Sequence, residues 1–360
     1  MKLKKTLLTL FIVLSYFQIF CQVSIDKPDI NWHHMDMTID KIPGVSTNRA
    51  YGELLKNKKA TKIIVAIIDD GLDIEHKDLI ENIWTNIDEI PNNGIDDDKN
   101  GYIDDIHGWN FLGNPNGENL LYDTWEQTRT YISLRDQFAN IELMAIRVCP
   151  YGDERDKDVA NAIYYAVDNG AKILNMSFGK THSPNEAHVN KAIRYAEKKG
   201  VLLITGSGND GTDVDKNPRY PNRYYSDGSE CSTWINVGST TRKADTALAA
   251  NFSCYGKKNV DIMAPGSEIL SLLPGNETFL AEGTSISAPI VSGVAALVWS
   301  NFPELTAIEL KSILLESVEY FGDYEVLLPG ASGKKVLFKE LSKTGGIVNA
   351  YNAILLAKIK

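Results

Sequence analysis

Gly283-Thr284-Ser285-Ile286-Ser287-Ala288-Pro289 decides how this chain reads. Gly283 permits a tight turn. Ser285 then heads the small-residue run Ser287-Ala288-Pro289-Ile290-Val291-Ser292-Gly293-Val294-Ala295-Ala296-Leu297-Val298. A run so uniformly small and apolar is expected to form a buried helix whose backbone lies close to its neighbours. A hydroxyl at the N-terminus of that helix sits where the helix dipole favours developing negative charge. Ser285 is therefore a candidate nucleophile. A serine-rich helix cap would satisfy the same stretch, so the rest of the chain has to decide.

Two upstream stretches bear on the choice. Ile63-Ile64-Val65-Ala66-Ile67-Ile68-Asp69-Asp70-Gly71 is a continuous apolar run ending in carboxylates and glycine. That pattern is expected of a buried parallel strand delivering Asp69 at its C-terminal edge. Val201-Leu202-Leu203-Ile204-Thr205-Gly206-Ser207-Gly208-Asn209-Asp210 is a second such run. It ends in the short polar loop Ser207-Gly208-Asn209-Asp210.

Together, in this order and spacing, the three stretches resemble the serine, aspartate and asparagine motifs of the subtilisin-like serine proteases, the subtilases. The resemblance implies that Ser285 is the nucleophile, Asp69 the triad aspartate and Asn209 the oxyanion donor. The Asp-Asp-Gly form is closest to the variant of kexin-like convertases. Ser177-Phe178-Gly179 resembles the family's substrate-binding strand, and Gly346-Ile347-Val348-Asn349-Ala350-Tyr351 its closing segment. The likeness spans about residues 30–357. It implies a three-layer α/β/α sandwich around a mostly parallel sheet, with the site at the strands' C-terminal edge.

The intervening residues alternate as such a domain requires. A helix is expected over Asp158–Asp168, capped by Asp156 or Asp158 and stopped at Gly170. A strand over Ala171–Met176 and a helix near Pro184–Lys199, ended by Gly200, follow. Further strands are expected over Trp234–Gly238 and Val260–Met263. Pro303-Glu304-Leu305-Thr306 reads as a helix start.

The family's histidine motif, His-Gly-Thr-His-Val-Ala-Gly, has no counterpart here. The six histidines are His33, His34, His76, His107, His182 and His188, and none stands in such a context. After Trp109-Asn110-Phe111 the chain passes through Tyr122–Arg129 to Arg135-Asp136-Gln137-Phe138. It then enters Asn140-Ile141-Glu142-Leu143-Met144-Ala145-Ile146-Arg147-Val148, which resembles the strand after the histidine helix. The helix is read as excised near residues 135–140. Tyr131, Leu134 and Phe138 recur at helical spacing, so this segment is a candidate for filling part of the gap.

The chemistry sets what that costs. A serine hydroxyl is a poor nucleophile without a neighbouring base, and the aspartate orients the base rather than replacing it. In subtilisin itself, a worked case of this effect, loss of the imidazole lowers turnover by roughly a million-fold. About 10³–10⁴ over water survives through the oxyanion hole and binding. Proteolysis is expected to be lost or severely impaired. Three readings stand: a peptide-binding pseudoprotease, an active endopeptidase that recruits a base such as His107 or His182, and a deleted product without stable function.

A net charge of −10 argues against nucleic acid as a partner, because no basic stripe is available for phosphates. The expected partner is a polypeptide substrate or peptide ligand, and the protein is read as a monomer. Met1-Lys2-Leu3-Lys4-Lys5, then the apolar run Thr6–Phe20, then Cys21-Gln22 fits a signal peptide over residues 1–22. The run is short for a stable membrane span. Residues 23–60 read as an N-terminal arm packing on the domain, too short for a folded inhibitory propeptide, and 61–358 as the subtilase domain. The mature protein is expected to be secreted or periplasmic. Cys149, Cys231 and Cys254 allow at most one disulfide, and Cys149 reads as a core residue.

Asp96, Asp98 and Asn100 occupy positions one, three and five of a calcium-type loop, with Gly101 at six. The twelfth position falls on His107 rather than glutamate, so an acidic solvated loop is the other reading. Calcium is the one cofactor considered. Gly206-Ser207-Gly208-Asn209-Asp210-Gly211 also has the letters of a dinucleotide fingerprint. The acidic loop that follows offers phosphate no helix N-terminus, so that reading fails.

Overall fold

A computed structural model describes residues 29–56, 59–113 and 140–360. Its framework is a sheet of nine strands. In chain order these are β1 (Ile63–Asp69), β2 (Gly108–Asn110), β3 (Ile141–Arg147), β4 (Ile173–Met176), β5 (Leu202–Gly206), β6 (Trp234–Thr240) and β7 (Ile262–Pro265). Two short strands complete it, Glu319–Tyr320 and Gly346–Ile347. The central order is β7-β6-β5-β4-β1-β3-β2, every neighbouring pair parallel. Only the outermost pair, Glu319–Tyr320 with Gly346–Ile347, runs antiparallel.

Strand residues alternate between two apolar layers, as the pleat requires. Val65, Leu143, Ile173 and Leu202 face one core together with the buried helix α4. Ala66, Ile146, Leu174 and Leu203 face the other, against α2 and α3. Here α1 is Thr47–Glu53, α2 Asp156–Asp168, α3 Glu186–Lys198, α4 Thr284–Asn301, α5 Ala307–Glu316 and α6 Ala350–Ala357. The result is the expected three-layer α/β/α sandwich.

α4 is apolar on every side and almost wholly buried, as a helix without a polar face must be. α5 starts where expected: Thr306 accepts from the Glu309 N–H while Glu309 bonds back to Thr306. The start of α2 differs from expectation. Arg155 stands at its N-cap without a side-chain bond. The Asp156 carboxylate instead takes Asn185 N, Ser183 Oγ and the Lys180 ammonium at 2.6 Å. A charge partner from a neighbouring loop outcompetes the local cap.

The described residues before β1 pack against later parts of the chain. Trp32 is fully buried and donates Nε1 to the Glu268 carbonyl, Ala350 N donates to Val45 O, and Asn349 Nδ2 to Ser46 Oγ. The expected leader, the expected excision point and Tyr131, Leu134 and Phe138 lie outside the described residues. No helix among the described residues is long and apolar enough to cross a membrane.

From β1 the chain runs out to β2 at the sheet's edge, returns to β3 between the two, then crosses to β4 on β1's other side. Beyond the C-terminal ends of β1 and β4 the connections part in opposite directions. Such a switch point opens a crevice in a parallel sheet.

Candidate active site

The crevice is a cleft of about 950 Å³ whose wall includes Asp69, Ser177, Phe178, Gly179, Asn209 and Ser285. β1 delivers Asp69 to the rim, where the Val148 N–H bonds its carbonyl at 2.7 Å and its Oδ1 accepts from Asp70 N at 2.9 Å. β4 ends one residue before Ser177, whose Oγ accepts from Asn175 Nδ2 at 2.8 Å. Asn175 Oδ1 in turn accepts from Ser292 Oγ of α4, tying the strand end to the helix. Lys180 and Tyr220 exchange backbone hydrogen bonds at 2.9 Å, so the segment after Gly179 pairs with a neighbouring loop.

Ser285 is the second residue of α4 and is buried. The small residues around it allow a tight approach. A Cβ on Gly206, at the end of β5, would stand 2.9 Å from the Thr284 carbonyl. Thr284 then binds the adjacent loop. Its N–H and hydroxyl both donate to Asn209 Oδ1, at 2.8 and 3.0 Å, and its Oγ1 accepts from Gly208 N. With its oxygen held by the helix, the Asn209 amide presents Nδ2 on the other side. A Cβ on Gly283 would lie 2.9 Å from Ser285 Oγ and 3.4 Å from Asn209 Nδ2, so the hydroxyl and the amide donor flank one point. An oxygen bonded to carbon attacked by Ser285 would find that donor.

The cleft is strongly charged. Asp69, Asp70, Asp153, Glu154 and Asp210 line it beside Arg147, Arg219 and Arg223. Arg223 is committed to the buried Asp261, donating Nη1 to Oδ1 at 2.9 Å and Nη2 to Oδ2. Burial pushes the Glu154 carboxyl up to about 7, and the nearby Lys180 offsets only part of that. Burial acts on Asp210 the same way but is outweighed. The Cys254 thiol bond and the Arg219 guanidinium hold it below the usual carboxylate range.

No histidine is among the described residues lining the cleft. His33 and His34 lie in the arm, and burial holds both imidazoles well below their usual range. His76 is fully buried after β1 and its Nδ1 accepts from Asp78 N. His107 places Nδ1 2.9 Å from the Trp84 carbonyl. His182 and His188 are exposed, the latter on α3. Cys149 is not the core residue expected: β3 ends two residues earlier, and the thiol is half-buried in the cleft wall. Among the described residues no disulfide joins it, Cys231 or Cys254.

The acidic loop also differs in detail. Carboxylate oxygens of Glu89, Asp96 and Asp98 lie within 4.8 Å of one another. Asn100, the third expected ligand, instead donates Nδ2 to Asp98 and Asp105 and accepts from Tyr102 N on Oδ1. Glu89 carries no sequence signal, since it lies outside the alternating run and reaches the loop only through its fold. Arg219 and Glu154 were equally silent, standing in no motif.

The model of the Subtilase family matches residues 60–343. Subtilisin-like protease 1 of Plasmodium falciparum is 28% identical over 292 residues, covering 74% of this chain and 42% of that protein. Thermitase of Thermoactinomyces vulgaris is 31% identical over 238 residues, covering 66% of this chain and 75% of thermitase. This chain thus spans less than half the length of the Plasmodium protein. A protease structure from Pseudoalteromonas arctica PAMC 21717 superposes with a TM-score of 0.65 over 91% of this chain and 97% of its own, at 21% identity. That likeness speaks for the fold alone.

Proposed function

This chain belongs to the subtilase family, and from that premise we propose that it is a secreted subtilase homologue that binds polypeptide without efficient cleavage. One observation carries the reading: Asp69, Asn209 and Ser285 line one cleft, and none of the histidines lines it among the described residues. The proposed roles are those of nucleophile for Ser285, oxyanion donor for Asn209 and triad aspartate for Asp69. Ser177, Phe178 and Gly179 would receive an extended peptide. Asp69 orients a base in this arrangement and does not supply one, and no imidazole among the described residues of the cleft wall is placed to take the Ser285 proton.

The second reading, an active endopeptidase with another base, draws on the placement of Ser285 beside Asn209. His107 and His182 offer it little, one turned to the Trp84 carbonyl and the other exposed. The test uses the purified mature protein with unfolded casein and with fluorescent peptides. Saturable peptide binding without cleavage is the expected result. Cleavage that disappears in Ser285→Ala would establish the endopeptidase instead.

We further propose a leader over residues 1–22, an arm over 23–60, a subtilase domain over 61–358 and a location outside the cytoplasm. Calcium fits the group of Glu89, Asp96 and Asp98, which offers the hard oxygen ligands that ion takes. Thermal unfolding at a higher temperature in calcium than in EDTA is expected. Equal midpoints would remove the ion from the account.

A further inference from the structure

Building on the peptide-binding reading, we infer that Arg219 selects an acidic side chain on the ligand residue whose carbonyl lies between Asn209 and Ser285. Arg219 belongs to the cleft wall and lies against the loop that carries Asn209. A Cβ on Gly208 would stand 2.5 Å from Arg219 Nε and 2.9 Å from its Cδ and Cζ. The guanidinium therefore rests on the peptide just before the amide donor. The Gly208 N–H donates to Thr284 Oγ1 at 3.0 Å, one residue before Ser285. A carbonyl seated between the donor and the hydroxyl brings its own side chain within reach of this guanidinium.

The guanidinium has donors to offer. It carries five N–H groups in a planar fork suited to a carboxylate. Among the described residues its only side-chain bond is from Nη2 to Asp210 Oδ1. That oxygen is shared, because Cys254 Sγ also donates to it at 2.9 Å. The Asp210 side chain is 51% exposed and that of Arg219 23%. The counterion is thus the more solvated partner, and the cation is partly withdrawn from water where a second carboxylate gains more. Arg223, another guanidinium of the cleft, is closed to ligands by Asp261. Asp69, Asp70, Asp153 and Glu154 line other parts of the wall. The preference therefore belongs to one ligand position and is not a general affinity for acidic peptides.

The test walks one Glu, Gln or Lys along fluorescein-labelled Ala/Ser octapeptides and measures binding to the folded protein by anisotropy. At one position Glu is expected to bind roughly tenfold more tightly than Gln, the scale of a charge-assisted hydrogen bond, with Lys weakest. Arg219→Gln should equalise Glu and Gln there. Asp210→Asn, which removes the competing carboxylate, should widen the gap, an opposite effect that mere loss of packing does not produce. In 1 M NaCl the gap should narrow. A flat Glu/Gln profile in the wild type, or a gap unchanged in Arg219→Gln, overturns the assignment while leaving peptide binding intact. Absence of binding by every peptide overturns both.

Discussion

At the scale of single residues, the cleft mixes groups whose costs can be separated. Arg223 and Asp261 form a two-point ion pair with side chains only 5% and 0% exposed, and Asn236 N adds a third bond to the carboxylate. Arg223→Leu would strand a buried charge, at a cost of about 3–5 kcal/mol. Urea unfolding measures it, and adding Asp261→Asn should recover part of the loss. Glu154 lends itself to a pH experiment. Its folded-state carboxyl titrates at about 7, above the ordinary 4.5, so the folded protein holds that proton more tightly. Its contribution to stability is complete below pH 4.5 and is lost as pH rises through 7. Glu154→Gln mimics the protonated form. Its midpoint relative to wild type should rise between these pH values and level off above them. A difference independent of pH would contradict the titration.

At the scale of elements, the close approaches are set by glycine. Gly108, opening β2, has φ +129°, and a Cβ there would meet the Ala145 carbonyl oxygen at 1.8 Å. Gly101, in the acidic loop, also has positive φ but nothing within 4 Å. Gly101→Ala therefore reports backbone strain alone, about 1–3 kcal/mol. Gly108→Ala should cost clearly more, because β2 must also leave β3. Equal losses by denaturant unfolding would mean that the contact relaxes freely. Element types were legible from sequence because buried parallel strands read as continuous apolar runs and α4 as a small-residue run. Ends were less so. The strand expected from Ala171 begins at Ile173, and the one expected from Val260 begins at Ile262. Asp156 looked like a cap and serves Lys180, since sequence spacing carries no record of a partner brought in by another loop.

At the scale of the whole molecule, the sandwich with a site at the strands' C-terminal edge was legible, because the motifs of Asp69, Asn209 and Ser285 follow apolar runs or open a helix; the strand order was not, since sequence does not show which strands are neighbours. The rest of the site was not. Glu89 joins Asp96 and Asp98, and Arg219 joins Gly208, only through the paths of loops without periodic pattern. The account rests on a cleft with nucleophile and donor in place and no imidazole among its described residues. Its most direct test is intact-mass analysis of the folded mature protein after a fluorophosphonate probe, beside Ser285→Ala. The account expects no adduct on either protein. An adduct on wild type alone would mean that a base activates Ser285, and would contradict it.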